Sequence, residues 1–149
     1  MTDINHHELL TDMAAVIGRH DWDRLEDFYH SDAVLEYPQS GELFVGFANI
    51  RAQFANYRDL EPGTTELRDV IGGTDYALTP MYTVIAVEGS GNRGVALLRA
   101  HYPDQTWWWV INIYELRDGR IARARNFFAP EFDPPDWRAP FREKPDLPR

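Results

Sequence analysis

Two asparagines and a tyrosine offer the clearest chemistry in this sequence. Asn112 interrupts the apolar run from Trp107 to Leu116. Strand alternation would set it on one face with Trp108, Val110, Tyr114 and Leu116, and leave Trp107, Trp109, Ile113 and Glu115 on the other. A primary amide on an apolar face costs free energy unless it is hydrogen-bonded. Asn112 therefore either donates to a carbonyl or enolate oxygen of a substrate, or is satisfied internally by Tyr37 or Asn126. Asn126 follows Ala122 and Ala124 on its own face, with Phe128 beyond. Small residues ahead of a polar one leave room for a ligand; an edge or interface amide is the alternative. Tyr37, just before Pro38, can serve as a general acid or hydrogen-bond donor, or line a cavity with its hydroxyl satisfied.

Two further residues could move a proton. Glu36 points away from Tyr37 on the same strand. If buried, it would have a raised pKa and be the best carboxylate base available; otherwise it is a solvent-facing or arginine-paired carboxylate. His101 shares a face with Arg99, and an imidazole is suited to acid–base work, unless it is structural or exposed.

Other chemistries are excluded or unsupported. The chain has no cysteine, so thiolate catalysis and disulfides are impossible. Its serines, Ser31, Ser40 and Ser90, lie in turn-like settings, with no G-x-S-x-G element and no glycine-rich phosphate loop. No histidine pair has metal-ligand spacing with a carboxylate, so no metal is expected. A net charge of -9 disfavours nucleic acid, and the Trp107-Trp108-Trp109 triplet lacks the basic groove of a base-stacking surface. No apolar run approaches a membrane span, and the polar N-terminus lacks the basic start of a signal peptide, which points to a cytoplasmic protein.

The elements that must position these side chains follow from periodicity. Leu9, Leu10, Met13, Val16 and Ile17 predict a helix over 8–18. Asp21 reads as the N-cap of a second, short helix with Trp22, Leu25, Phe28 and Tyr29 on its apolar face. Ala33 to Tyr37 reads as a strand, Leu43 to Val45 as a short return strand, and Phe47 to Tyr57 as a third helix. Strand-like segments then run to Phe128, with turns at Gly72-Gly73, Gly89-Ser90-Gly91-Asn92 and Asp118-Gly119; the last is a strong hairpin signal. The segment Val95 to Tyr102 reads as an extra hairpin or a lid over a cavity mouth. Six of the ten prolines fall in 130–149. That marks a distinct tail, in which Phe132, Trp137 and Phe141 supply anchors for the domain or a partner subunit. The chain thus divides into an α+β domain over 1–130 and a proline-rich tail over 131–149.

Three stretches carry a family resemblance: Asp21-Trp22-Asp23 through Asp32 to Pro38, Gly46 to Arg51, and Asn112 to Ile121 running on to Arg125-Asn126-Phe127-Phe128. Together they resemble the nuclear transport factor 2-like superfamily, in particular its SnoaL-like polyketide cyclase branch, over roughly residues 8–130. The resemblance implies a cone-shaped barrel: a curved antiparallel sheet wrapped around three helices of the N-terminal half, enclosing a pocket. It also implies a homodimer. Enzymes of this kind mostly work without metal or cofactor, through a positioned acid and base in a dry pocket.

Ketosteroid isomerase, a member of the superfamily, has its base just before a proline at the end of the first strand, which here is Tyr37. Its neutral aspartic acid corresponds to Asn112 and its tyrosine donor to Met13. The acidic residue that cyclases place on the last strand corresponds to Asn126. None of these carboxylates carries over, and an Asp-Arg-Asp epoxide-opening network cannot be placed. Tyr37, Asn112, Asn126, Glu36 and His101 remain the catalytic candidates. Met13, Phe54, Tyr57, Trp108, Tyr114 and Phe128 are the expected pocket lining. The implied function is cyclisation, isomerisation, elimination or epoxide opening on an apolar, carbonyl-bearing or cyclic metabolite of secondary metabolism. The alternative is a non-catalytic binder or accessory dimer subunit.

Overall fold

A computed structural model describes residues 3–56, 66–69, 75–78, 82–102 and 106–143. Helix α1 (His6–Gly18) starts two residues earlier than its apolar periodicity suggests, because the Asn5 side chain caps it by accepting the Glu8 N–H at 3.1 Å. A single 3-10 turn, Arg24–Asp27, replaces the expected second helix. Helix α2 (Phe47–Ala55) follows the pair β1 (Tyr29–Tyr37) and β2 (Glu42–Val45). The remaining strands are β3 (Glu66–Asp69), β4 (Asp75–Leu78), β5 (Tyr82–Ser90), β6 (Arg93–His101), β7 (Trp107–Arg117) and β8 (Arg120–Pro130). Expectations for Tyr57 and the Gly72-Gly73 turn lie outside the described residues.

The eight strands of the described residues form one sheet in the order β2-β1-β8-β7-β6-β5-β4-β3. From β3 to β8 neighbours are antiparallel, but β1 runs parallel to β8, so the sheet is mixed. The β7–β8 hairpin turns on Asp118-Gly119, both at positive φ (51° and 77°), as a tight turn with the twist of its strands demands. Strand β6 is not a lid or an extra hairpin: it pairs with β7 along its whole length, from Arg93↔Glu115 to His101↔Trp107.

One face of this curved sheet is packed against α1 and α2 and holds the core, including Leu10, Met13, Ile50, Leu98, Val110 and Tyr114. The fold is therefore the α+β cone that the sequence suggests, with two α-helices and a 3-10 turn among the described residues of its N-terminal half. Small residues on the inner face of β6 (Gly94, Ala96 and Ala100, all buried) let large side chains of β7 lie across it. Gly94 is the tightest of these positions, since an added Cβ would sit 2.2 Å from the Tyr114 hydroxyl oxygen unless that side chain moved.

Beyond β8 the chain is ordered through a second 3-10 turn, Asp136–Phe141. The expected anchors do not pack on their own domain: Phe132, Trp137 and Phe141 are 80%, 70% and 85% exposed.

Candidate functional site: a neutral row across the sheet

Register brings the three polar candidates together. Asn112 of β7 is directly opposite Asn126 of β8. In β1, Leu35 pairs with Ala124 and Glu36 with Arg125, so Tyr37 continues the same inner face beside Asn126. The rings agree with this placement: Tyr37 meets Phe128 edge-on at 5.0 Å and Phe44 at 5.1 Å. Both asparagines are buried. Asn112 Nδ2 donates to Asn126 Oδ1 at 2.6 Å, which satisfies half of the amide internally. Asn112 Oδ1 is buried without a hydrogen-bond partner.

A fourth member, Gln53, extends the row from helix α2. Its Oε1 accepts the Tyr37 hydroxyl at 3.2 Å, and its Nε2 is buried with no partner. Its signal in the sequence is faint but real, since it lies three residues after Ile50 and one before Phe54, on the edge of the buried helix face. Burial, then the neighbouring Tyr29 and Tyr102, pushes the Tyr37 pKa above its ordinary value, so the group remains a neutral donor. The row thus has no formal charge. It presents a phenol, three amides, one idle acceptor (Asn112 Oδ1) and one idle donor (Gln53 Nε2).

Burial varies systematically along this face. Tyr114 and Leu116 are buried, whereas Trp108, Phe128 and Tyr37 are half-buried. The deep end is closed by a residue that the sequence analysis did not single out. His6 is buried, its Nδ1 lies 2.9 Å from the Tyr114 hydroxyl, and its Nε2 lies 3.0 Å from the Gly91 carbonyl. A carbonyl only accepts, so Nε2 carries the proton and Nδ1 accepts from Tyr114. Burial pushes the Tyr114 pKa up to about 12. His6 could have been found: it precedes Leu10 by four residues and Met13 by seven, on the apolar face of α1.

The expected pocket lining divides by depth. Met13, Phe54 and Tyr114 are buried, while Trp108 and Phe128 are half-buried toward the outer end. The β-bulge in β8 corrects one detail. Glu115 pairs with Arg123 and Leu116 with Ile121, so Ala122 is skipped and Ile121, not Ala122, shares the inner face with Ala124 and Asn126.

The two proton-transfer candidates are not brought to this row. Glu36 lies on the outer face, with Arg125 Nε at 3.0 Å and Arg123 Nη2 at 3.5 Å. The Arg125 hydrogen bond holds its carboxyl below the usual range, the reverse of the raised pKa that a buried base would need. His101 is also on the outer face, stacked on Trp107 at 4.3 Å. Among the described residues no group of three or more His, Asp or Glu is arranged to hold a metal ion. Nor is any described helix long and apolar enough to cross a membrane.

A family model described as a SnoaL-like domain matches residues 10–124. Among curated proteins there is no significant match. Solved structures share the fold at low identity. An NTF-2 like protein of unknown function from Burkholderia xenovorans is 24% identical, with 92% of each chain covered and a TM-score of 0.69. A candidate ketosteroid isomerase from Kribbella flavida is 18% identical, covering 97% of this chain and 93% of its own, with a TM-score of 0.71. A candidate polyketide cyclase from Sinorhizobium meliloti is 16% identical, covering 80% and 93%, with a TM-score of 0.54.

Proposed function

We propose, from the premise that this chain belongs to the SnoaL-like domain family, that its cone takes a neutral, largely apolar metabolite bearing a carbonyl. The reaction would be a cofactor-free cyclisation, isomerisation or related enol chemistry of secondary metabolism. The observation that carries this reading is the uncharged row Gln53–Tyr37–Asn126–Asn112 on one inner face, with a buried acceptor and a buried donor left idle. Idle buried polar atoms cost about 1–3 kcal/mol each, a cost that a ligand bearing both a hydroxyl and a carbonyl would offset. A charged ligand would meet no counter-ion in the row. Amide and phenol donors aimed at a carbonyl favour its enolate form, and this is how the row would speed a reaction.

A second reading has its own observation. Glu36 and His101 lie on the far face of the sheet, and His6 is committed to Tyr114 and Gly91. No carboxylate or histidine among the described residues hydrogen-bonds to the row, which favours a pocket that binds or shields its ligand without converting it. Asn112→Leu separates the two readings once a ligand is in hand. Turnover of the bound ligand falling about 100- to 1000-fold, beyond the loss in binding, supports catalysis. Loss of binding alone supports a carrier.

The outer face of the sheet supports a homodimer. Leu43, Val45, Val95, Ile111 and Ile113 are exposed on it, and they are the exposed large apolar residues of the described domain outside the tail. A patch of this kind on a soluble chain marks an interface, and an isologous pairing of two such faces would cover both copies at once.

A further inference from the structure

We propose that the tail of each subunit docks in a groove at the root of the other subunit's tail, so that two copies clasp reciprocally. This rests on the homodimer reading above and goes beyond it by naming the segment and its receptor.

The receptor is built from the outer rim of the sheet. Arg99 is only 2% exposed although it lies on the outer face. Its guanidinium sits over Trp107 and Trp109, 5.0 and 4.5 Å from their ring centres. Its Nη2 donates to Glu131 Oε1 at 2.6 Å. A buried arginine so clamped fixes Glu131, and with it the direction in which the chain leaves β8. The result is a groove of about 430 Å³ lined by Trp109, Pro130, Glu131, Phe132, Asp133 and Pro134. Its walls set flat apolar surfaces beside two carboxylates, Glu131, already paired with Arg99, and the exposed Asp133.

The complement of such a groove is a cationic group carried beside an aromatic ring. The same chain presents one a few residues on. Arg138 lies over Trp137 at 5.1 Å, and Trp137 and Phe141 are 70% and 85% exposed in an ordered turn. With its rings in solvent, this segment does not fill its own groove. An exposed aromatic–arginine turn and an open acidic–aromatic groove on one chain are self-complementary surfaces. A two-fold axis satisfies both together.

Charge exchange on the full-length chain tests this. Asp133 and Arg138 are exposed, so neither substitution disturbs the core. Asp133→Arg and Arg138→Glu should each raise the dimer dissociation constant by at least about tenfold, because each homodimer now faces like charges. Mixing the two variants should restore wild-type affinity, since the heterodimer pairs Arg with Glu in one groove and Asp with Arg in the other. Differently tagged copies in native mass spectrometry report the heterodimer fraction directly. A statistical mixture with no heterodimer preference overturns the clasp. Single variants that dimerise like wild type overturn it too, and leave the dimer through the sheet intact. A wild-type chain that stays monomeric overturns both. Lower melting temperatures without any change in association would place the tail on its own subunit and equally overturn the exchange.

Discussion

Asn112 is a buried amide whose nitrogen is committed and whose oxygen is not. Replacement by leucine keeps the branched shape and removes the idle acceptor, but orphans Asn126 Oδ1. The expected outcome is a folded protein, less stable by about 1–3 kcal/mol at most, that has lost ligand affinity or turnover; calorimetry and a binding assay together check it. Tyr37→Phe removes the only hydroxyl among these four residues and frees Gln53 Oε1, so it should reproduce the ligand defect. With burial raising its pKa above the ordinary 10.0, Tyr37 should contribute no inflection to a pH profile at neutral or mildly alkaline pH. The three residues legible in the sequence were polar groups breaking an alternating apolar strand or ending one. Gln53 and His6 were hidden because helical faces have soft edges, and a polar residue on such an edge reads as solvent-facing until packing closes over it.

The strands carry a second layer of constraint. At Gly94, the Tyr114 hydroxyl that fills the space of a side chain is tied in turn to His6. Gly94→Ala should destabilise the fold by about 1–3 kcal/mol through overpacking, read as a melting temperature several degrees lower. The parallel β1–β8 pair is joined on its outer face by Glu36 with Arg125 and Arg123. The arginines lower the folded-state pKa of Glu36, so its stabilising effect is present above about 4.5, the ordinary value, and fades as pH falls through the lower folded value. Glu36→Gln should flatten the acid limb of the stability curve and leave neutral-pH behaviour nearly unchanged, as befits an exposed pair.

Local signals made the antiparallel part of the sheet readable, because Asp118-Gly119 and strict alternation set the β7–β8 pairing. They could not reveal β1 beside β8. Those partners are separated by most of the chain, and their register is decided by closure of the sheet over the helices. The run Trp22, Leu25, Phe28, Tyr29 fits helical spacing yet forms one 3-10 turn followed by a strand. A run so short has no periodicity to separate the two.

For the whole molecule, the cone has two faces with different assignments. Among the described residues the inner face carries the uncharged row and the His6–Tyr114 pair; the outer face mixes exposed aliphatic residues with ion pairs such as Arg123 and Arg125 with Glu36. Sedimentation at micromolar concentration should give twice the 17.3 kDa chain mass. Ile111→Lys and Ile113→Lys together should return the chain to monomer without loss of fold, since both side chains are exposed. The fold class and the amide row were readable from the sequence because alternation records which face is buried. The open groove at Trp109 and the clamped Arg99 were not, since they arise where the end of β8 meets the opposite side of the sheet.

The most direct measurement is ligand capture by native mass spectrometry, using neutral carbonyl- and hydroxyl-bearing small molecules and four single variants. Wild type, Glu36→Gln and His101→Ala should retain the same compounds, while Asn112→Leu and Tyr37→Phe should lose them. Retention by Asn112→Leu and Tyr37→Phe at wild-type levels, or loss in His101→Ala alone, would contradict the assignment of the site to the inner row.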